Sequence, residues 1–140
     1  MKKIGYTTGV YDLFHIGHLN ILKKARENCD YLIVGITTDE CVQKIKGITP
    51  IMPFEERMEI VSSVKYVDKA IPEEITDKLK AWEKLKFNII FKGDDWKGTA
   101  KWDELEKKFK NLNVKVVYFP YTQSTSSTKI RKITESFKID

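Results

Sequence analysis

Short apolar runs alternate with segments of helical period along the whole chain. The runs that predict strands cover residues 2–7, 31–36, 67–71, 88–91 and 114–119. Elsewhere, apolar residues recur every three or four positions, which is the spacing of an amphipathic helix. These stripes cover residues 19–29, 54–64, 75–85, 102–112 and 130–137.

Strands that alternate with helices predict right-handed βαβ units and a parallel sheet covered on both faces. The pattern therefore predicts a Rossmann-like α/β fold with five parallel strands, formed by a single domain over residues 1–140. In such sheets ligands bind beyond the carboxyl ends of the strands, where the strand order reverses. The loops after the first, fourth and fifth predicted strands are the candidate sites.

Composition limits the function classes further. The 140 residues are 41% hydrophobic and 32% charged, as in ordinary globular proteins. No apolar run is long enough to span a bilayer and the first residues lack a signal-peptide core, so we expect a cytoplasmic protein without membrane insertion. The net charge of +5 is spread along the chain, and aromatic residues fall at core spacings, so no nucleic-acid partner is expected.

The loop after the first predicted strand carries the chain's only two histidines. Gly9, His15, Gly17 and His18 lie within ten residues at a strand-to-helix junction, where helix N–H groups favour phosphate. Imidazole N–H groups there would donate to phosphate oxygens as charge builds on a leaving pyrophosphate. The alternative is two unrelated histidines, one capping the helix and one packed.

Basic side chains follow the second predicted strand. Lys44 and Lys46 flank one residue, so in an extended chain both would reach the same side and clamp phosphate charge. Solvated lysines are the alternative. Arg57 either binds phosphate or forms a surface ion pair with Glu55 or Glu56.

Polar residues also follow the fourth and fifth predicted strands. Asp94 and Asp95 either accept hydrogen bonds from a nucleobase or ribose, help to hold magnesium, or form a turn. Trp96 would wall the site or pack beneath it. Three hydroxyl residues open the last predicted helix: Ser126, Ser127 and Thr128. They would cap the helix and bind triphosphate oxygens.

The segment His15-Ile16-Gly17-His18 resembles the HxGH signature of the cytidylyltransferase-like nucleotidyltransferases. The later motifs follow in the order found in bacterial glycerol-3-phosphate cytidylyltransferases, and this resemblance covers nearly the whole chain. It implies a homodimer that uses CTP and Mg²⁺ to transfer CMP to glycerol 3-phosphate or a related polyol phosphate. Pyrophosphate would be released, and the product would feed wall or capsule polymers.

The resemblance also implies roles for individual residues. Catalytic roles fall to His15, His18, Lys46 and Lys65. Nucleotide binding falls to Thr8, Gly9, Val10, Tyr11, Asp12, Gly17, Lys44, Arg57, Gly93, Asp94, Asp95, Trp96, Thr122, Ser126, Ser127 and Thr128. Asp12 is in addition a candidate ligand of the metal.

Three departures from the family pattern leave the acceptor open. Val10 and Tyr11 replace Thr and Phe of the first loop, and Lys65 replaces an arginine. The segment 121–128 lacks the family's arginine and glutamate. A sugar phosphate, phosphocholine or phosphoethanolamine as acceptor, ATP as donor, or a non-catalytic nucleotide sensor are the alternatives.

Overall fold

The computed structural model of the chain describes residues 2–120 and contains one five-stranded sheet in that range. The strands are β1 (Ile4–Gly9), β2 (Tyr31–Thr37), β3 (Lys69–Glu73), β4 (Ile89–Gly93) and β5 (Lys115–Phe119). All neighbouring strands pair in parallel, in the order β3-β2-β1-β4-β5. The predicted Rossmann-like α/β fold is confirmed, and the strand order reverses between β1 and β4.

The helices follow the strands in the expected alternation. They are α1 (Ile16–Glu27), α2 (Asp39–Lys46), α3 (Phe54–Ser62), α4 (Lys78–Leu85) and α5 (Ala100–Asn111), with a 3₁₀ turn over Asp94–Trp96. None of the helices between residues 2 and 120 is long and apolar enough to cross a bilayer. The stripe predicted over residues 130–137 lies outside the described residues.

Two apolar layers cover the sheet because side chains alternate between its faces along each strand. On one face Val34 and Phe91 pack with α1 and α3, and on the other face Ile33 and Ile90 pack with α4 and α5. Trp102 of α5 is 2% exposed and belongs to the second layer. The two layers fix the helices, and they leave the carboxyl edge of the strands to the loops.

The sequence pattern missed α2 and shifted some boundaries. Helix α2 has eight residues, and its ends are set by the Thr38 cap and by Gly47 in the left-handed conformation (φ 66°). Strand β3 begins at Lys69 and not at the predicted residue 67, because Val67 still belongs to the turn that follows α3. Short elements such as these are determined by their caps more than by an apolar stripe.

Candidate active site

The two histidines of the first loop cap α1 together. His15 is the N-cap residue, and its Nδ1 accepts a hydrogen bond from the Gly17 N–H at 3.0 Å. The His18 Nδ1 accepts from the His15 N–H at 3.2 Å, and the two rings stack with centroids 4.0 Å apart. The Gly17 N–H, one of the helix N–H groups expected to favour phosphate, is therefore already used within the cap.

The hydrogen bonds also determine which ring nitrogen carries the proton. Because Nδ1 is the acceptor in both rings, the neutral form of each histidine carries its proton on Nε2. Burial lowers the pKa of His15. The pKa of His18 is lowered to about 4, by burial first and then by His15, against the opposing effect of Asp12. The pair therefore presents two neutral N–H donors and no acid or base at neutral pH.

The ring of Tyr11 packs against the histidine pair. It is 5% exposed, and its ring meets the His18 ring edge-on with centroids 5.3 Å apart. A Cβ atom on Gly9 would lie 3.0 Å from the Tyr11 ring. The glycine at the end of β1 therefore makes room for the ring that positions His18.

Asp12 ties the first loop to the segment before α3. Its side chain is 3% exposed, and its two carboxylate oxygens accept from the N–H groups of Ile51 and Met52 at 2.8 and 2.9 Å. Tyr11 and Leu13 on either side have positive φ angles of 56° and 49°, which are unfavourable for these residue types. The Asp12 hydrogen bonds help to hold this strained loop in place.

Arg57 is a buried clamp and not a surface residue. Its side chain is fully buried, which corrects the expectation of a surface ion pair with Glu55 or Glu56. The guanidinium donates to four acceptors: the Met52, Val10 and Thr37 carbonyls and the Asp39 carboxylate. Arg57 was predicted to contact the nucleotide. In the structure the guanidinium is enclosed by protein, and it holds the first loop through the Val10 carbonyl.

A buried ion pair lies at the carboxyl edge on the other face of the sheet. The Lys78 ammonium, at the start of α4, is 2.5 Å from Glu73 Oε2 and donates to Thr8 Oγ1 at 2.9 Å. Glu73 Oε1 also accepts from the Thr37 hydroxyl at 2.8 Å. The network connects the ends of three adjacent strands. Neither Lys78 nor Glu73 was predicted from the sequence. A carboxylate at the end of a strand, as at Glu73, could have indicated this part of the site.

Lys92, at the end of β4, stands next to this network. Its ammonium lies 4.9 Å from the Trp96 ring centroid and 5.9 Å from the Trp102 centroid. The pKa of Lys92 is lowered to about 8, by burial first and then by Lys78. From the sequence, Asp94 and Asp95 were predicted as the functional residues at the end of this strand. Lys92, which precedes Gly93, was not predicted.

Lys44 and Lys46 do not form the predicted phosphate clamp, because both lie on α2. Their side chains are therefore about 200° apart around the helix axis and not on one side. Lys44 lines a cavity of about 510 Å³ whose other lining residues include carboxylates such as Glu40 and Glu74 and apolar side chains such as Phe54. Lys46 lies close enough to Lys92 to lower its pKa. The structure brings only Lys46 toward the strand ends.

Lys65 lies away from the histidines. It is exposed in the turn between α3 and β3, with its ammonium 5.2 Å from the Tyr66 ring centroid. Asp68, just beyond, bonds to Leu32 near the beginning of β2. Because this is the amino edge of the strands, the described chain does not bring Lys65 to the predicted site.

The remaining predicted residues lie at or beyond the end of β4. Gly93 precedes the 3₁₀ turn, Asp94 and Asp95 are exposed on it, and Trp96 is 41% exposed. They are accessible to a ligand at the edge where β1 and β4 diverge. The other four lie outside the described residues: Thr122, Ser126, Ser127 and Thr128.

A metal ion would need ligands beyond those that residues 2–120 present. Between residues 2 and 120, no three His, Cys, Asp or Glu side chains are arranged to hold a metal ion. Asp12, the predicted ligand, uses both carboxylate oxygens for backbone N–H groups. This donor set fits a Mg²⁺ ion that arrives bound to a triphosphate better than a resident ion, because Mg²⁺ commonly takes most of its ligands from substrate and water.

Comparison with known proteins agrees with this geometry. A family model described as cytidylyltransferase-like matches residues 6–133. The glycerol-3-phosphate cytidylyltransferase of Staphylococcus aureus is 37% identical over 139 residues, which is 94% of each protein. The FAD synthase of Pyrococcus horikoshii is 39% identical over 132 residues, which is 91% of this chain and 86% of that protein.

A solved structure shares the fold at similar coverage. The lipopolysaccharide core biosynthesis protein of Thermoplasma volcanium superposes with a TM-score of 0.75 at 30% identity. The match covers 89% of this chain and all of the other.

Proposed function

The chain belongs to the cytidylyltransferase-like family of nucleotidyltransferases, and we propose that it transfers CMP from CTP to a phosphomonoester with release of pyrophosphate. Glycerol 3-phosphate or a related polyol phosphate is the acceptor we favour. The observation that carries the proposal is the histidine pair, whose Nδ1 atoms are both occupied within the helix cap. The pair therefore keeps its Nε2–H groups for phosphate oxygens.

The proposed reaction is a single in-line displacement. A phosphate oxygen of the acceptor attacks the α-phosphorus of the nucleotide and forms the new P–O bond. The bond from the α-phosphorus to the bridging oxygen breaks, and its electron pair leaves with pyrophosphate. His15 and His18 donate to the oxygens on which this charge develops, so their hydrogen bonds strengthen in the transition state.

No general base is required for this step. A phosphomonoester loses its second proton with a pKa of about 6, so it is already a nucleophile at neutral pH. Neutral imidazoles suit this chemistry, because the site needs donors and not a proton acceptor. Mg²⁺, as part of the nucleotide substrate complex, would neutralise triphosphate charge.

The acceptor would enter from the other face of the sheet. Lys46 supplies positive charge near the end of β4, and Lys78, paired with Glu73, lies at the ends of β1 and β3. The histidines lie on the α1 face. Between them Gly9 ends β1 without a side chain. This arrangement would place donor and acceptor phosphates on opposite sides of the reacting phosphorus, as an in-line displacement requires.

Adenylyl transfer is the second candidate. The match to FAD synthase, an adenylyltransferase, is as strong as the match to the cytidylyltransferase. Both reactions need the same phosphate chemistry and differ in the pocket for the base.

The homodimer expected from the resemblance stays a prediction, which sedimentation velocity would test.

A pyrophosphate-release screen tests the proposal. CTP and ATP are each combined with Mg²⁺ and a panel of acceptors that includes glycerol 3-phosphate, other polyol and sugar phosphates, phosphocholine and FMN. We expect the fastest release with CTP and an anionic polyol phosphate. Preference for ATP with FMN would favour the second candidate. Nucleotide binding without release from any acceptor would contradict catalysis and favour a sensor.

A further inference from the structure

Lys92 has an environment that structural packing alone does not explain. It occupies the last part of β4, on the sheet face that packs against α5, yet its ammonium ends among charged groups and two indole rings. Within residues 2–120 no hydrogen bond or ion pair to this ammonium is formed. The side chain is partly buried, and a nonpolar side chain would fill the same space without the cost of desolvating an ammonium.

The charges that act on Lys92 come from four of the elements around it, and α5 contributes only the Trp102 ring. Lys78 on α4 and Lys46 on α2 lower its pKa, whereas Glu73 on β3 and Asp95 in the 3₁₀ turn raise it. These elements begin or end at the carboxyl edge of the sheet. The ammonium therefore points toward the edge where the acceptor would bind.

The balance of these charges favours an added anion. The cluster of three ammonium groups (Lys46, Lys78 and Lys92) is opposed by two carboxylates (Glu73 and Asp95). Glu73 is already engaged by Lys78 and by the Thr37 hydroxyl. Lys92 thus has no carboxylate bonded to its ammonium among the described residues, whereas Lys78 has Glu73.

We propose that Lys92 contacts the phosphate of the acceptor and strengthens its binding as a dianion. The proposal rests on the proposed function and adds an acceptor-binding residue to it. The two indoles hold the amine at the edge of the sheet, where ring faces attract a cation. A neutral or cationic acceptor group would leave the excess charge of the cluster uncompensated.

A pH dependence follows from this role. The pKa of Lys92 in the free protein is about 8, so the amine loses its charge as the pH rises above that value. A bound dianion favours the charged form, so binding and protonation are linked. The KM for the acceptor should therefore rise above pH 8, by up to about tenfold per pH unit, while the KM for the nucleotide changes little.

The first experiment measures kinetics in matched variants. Lys92→Met should raise the acceptor KM by about tenfold or more, as expected for a lost charge-assisted hydrogen bond. Lys86→Met is the control: its ammonium also lies over an indole, 3.9 Å from the Trp82 centroid, but at the C-terminal end of α4. Lys92→Arg keeps its charge at high pH and should abolish the rise in KM above pH 8.

The second experiment does not depend on turnover. NMR of protein with ¹³C-labelled lysine, assigned by comparison with Lys92→Met, gives the pKa of Lys92 with and without inorganic phosphate. Saturating phosphate should raise this pKa toward the ordinary value for lysine. An unchanged pKa, or an acceptor KM in Lys92→Met equal to that in Lys86→Met, would overturn the proposal.

The two experiments separate this inference from the proposed function. If the wild-type protein releases pyrophosphate but Lys92→Met behaves like the control, the function stands and the role of Lys92 fails. If no acceptor supports release, the function fails and the phosphate titration alone decides whether Lys92 belongs to an anion site. Should Lys92→Met not fold, Lys92→Arg and the titration of the wild-type protein give the answer.

Discussion

His15 and His18 cap α1 with one nitrogen of each ring, and the proposed function assigns a chemical task to the other nitrogen. The Nδ1 atoms close the cap of α1, and the Nε2–H groups remain for a ligand. These tasks are separable by mutation, because asparagine is a good N-cap residue but its amide N–H groups lie closer to the backbone than the histidine Nε2–H does. The histidine pair can therefore be tested without destroying the helix that it caps.

His15→Asn should retain most of the stability and lose most of the activity. We expect kcat to fall by about 10²–10³-fold, as for a lost oxyanion donor. His15→Ala should show the same loss of activity and in addition a loss of about 1 kcal/mol in unfolding free energy, since the cap is removed. Steady-state kinetics and urea unfolding are measured on both variants. Activity of His15→Asn within a few fold of wild type would contradict the assigned role.

The lowered pKa of His18 predicts an unusual pH response. A histidine with an ordinary pKa would titrate near pH 6.5, whereas His18 stays neutral until about pH 4. The Nε2 proton of His18 is therefore present throughout the neutral range. Titration of His18 should change kcat by less than about twofold between pH 6 and 8. A pH–rate profile with an inflection near 6.5 that disappears in His18→Asn would refute this.

The lowered pKa of His18 also makes the stability of the protein depend on pH. The direction of this dependence follows from the protonation of His18 in the unfolded chain. Below pH 6.5 the unfolded protein binds a proton at His18 that the folded protein does not. Stability is therefore highest above this pH and decreases as the pH falls toward 4. Urea unfolding at pH 7 and pH 5 should show this decrease, and it should be smaller in His18→Asn.

At the scale of elements, Arg57 holds three segments in one arrangement. It lies on α3 and bonds to the loop after β1, to the end of β2 and to Asp39 at the start of α2. A lysine carries the same charge, but it cannot direct donors to four separate acceptors. The position of the first loop therefore depends on a guanidinium at this point.

Arg57→Lys should be destabilising and should reduce activity indirectly. We expect a loss of about 3 kcal/mol or more in unfolding free energy, because buried acceptors and Asp39 lose their donors. Chemical denaturation measures this loss. Lys24→Ala in α1, where the side chain is exposed, is the control and should leave stability nearly unchanged. A fully stable Arg57→Lys protein would show that the clamp is dispensable.

The sequence indicated the long elements and the first loop, but not the contacts between elements. Apolar periodicity identified four helices and five strands because each buries a continuous face. It missed α2, and with it the separation of Lys44 from Lys46. The burial of Arg57 and the pairing of Glu73 with Lys78 join residues that a local pattern cannot relate, since their proximity depends on the strand order.

At the scale of the whole molecule, the sheet separates the two regions that we propose bind anions, and both regions lie at one edge of the sheet. The histidines lie on the α1 face, and the lysines lie on the α4 and α5 face. Donor and acceptor would then bind through different residues, and loss of one region would leave the other functional. This arrangement also fits a basic protein with anionic substrates on both sides of the reaction.

Thermal stabilisation by ligands tests this separation. A ligand at about 100 times its Kd adds about 2.7 kcal/mol to the stability of the folded protein. CTP should therefore raise the Tm of wild type and of Lys92→Met equally, because the nucleotide does not need this lysine. Inorganic phosphate should raise the Tm of wild type more than that of Lys92→Met. If the lysine variant lost the response to CTP as well, the two regions would be one nucleotide site, and the division between donor and acceptor faces would be wrong.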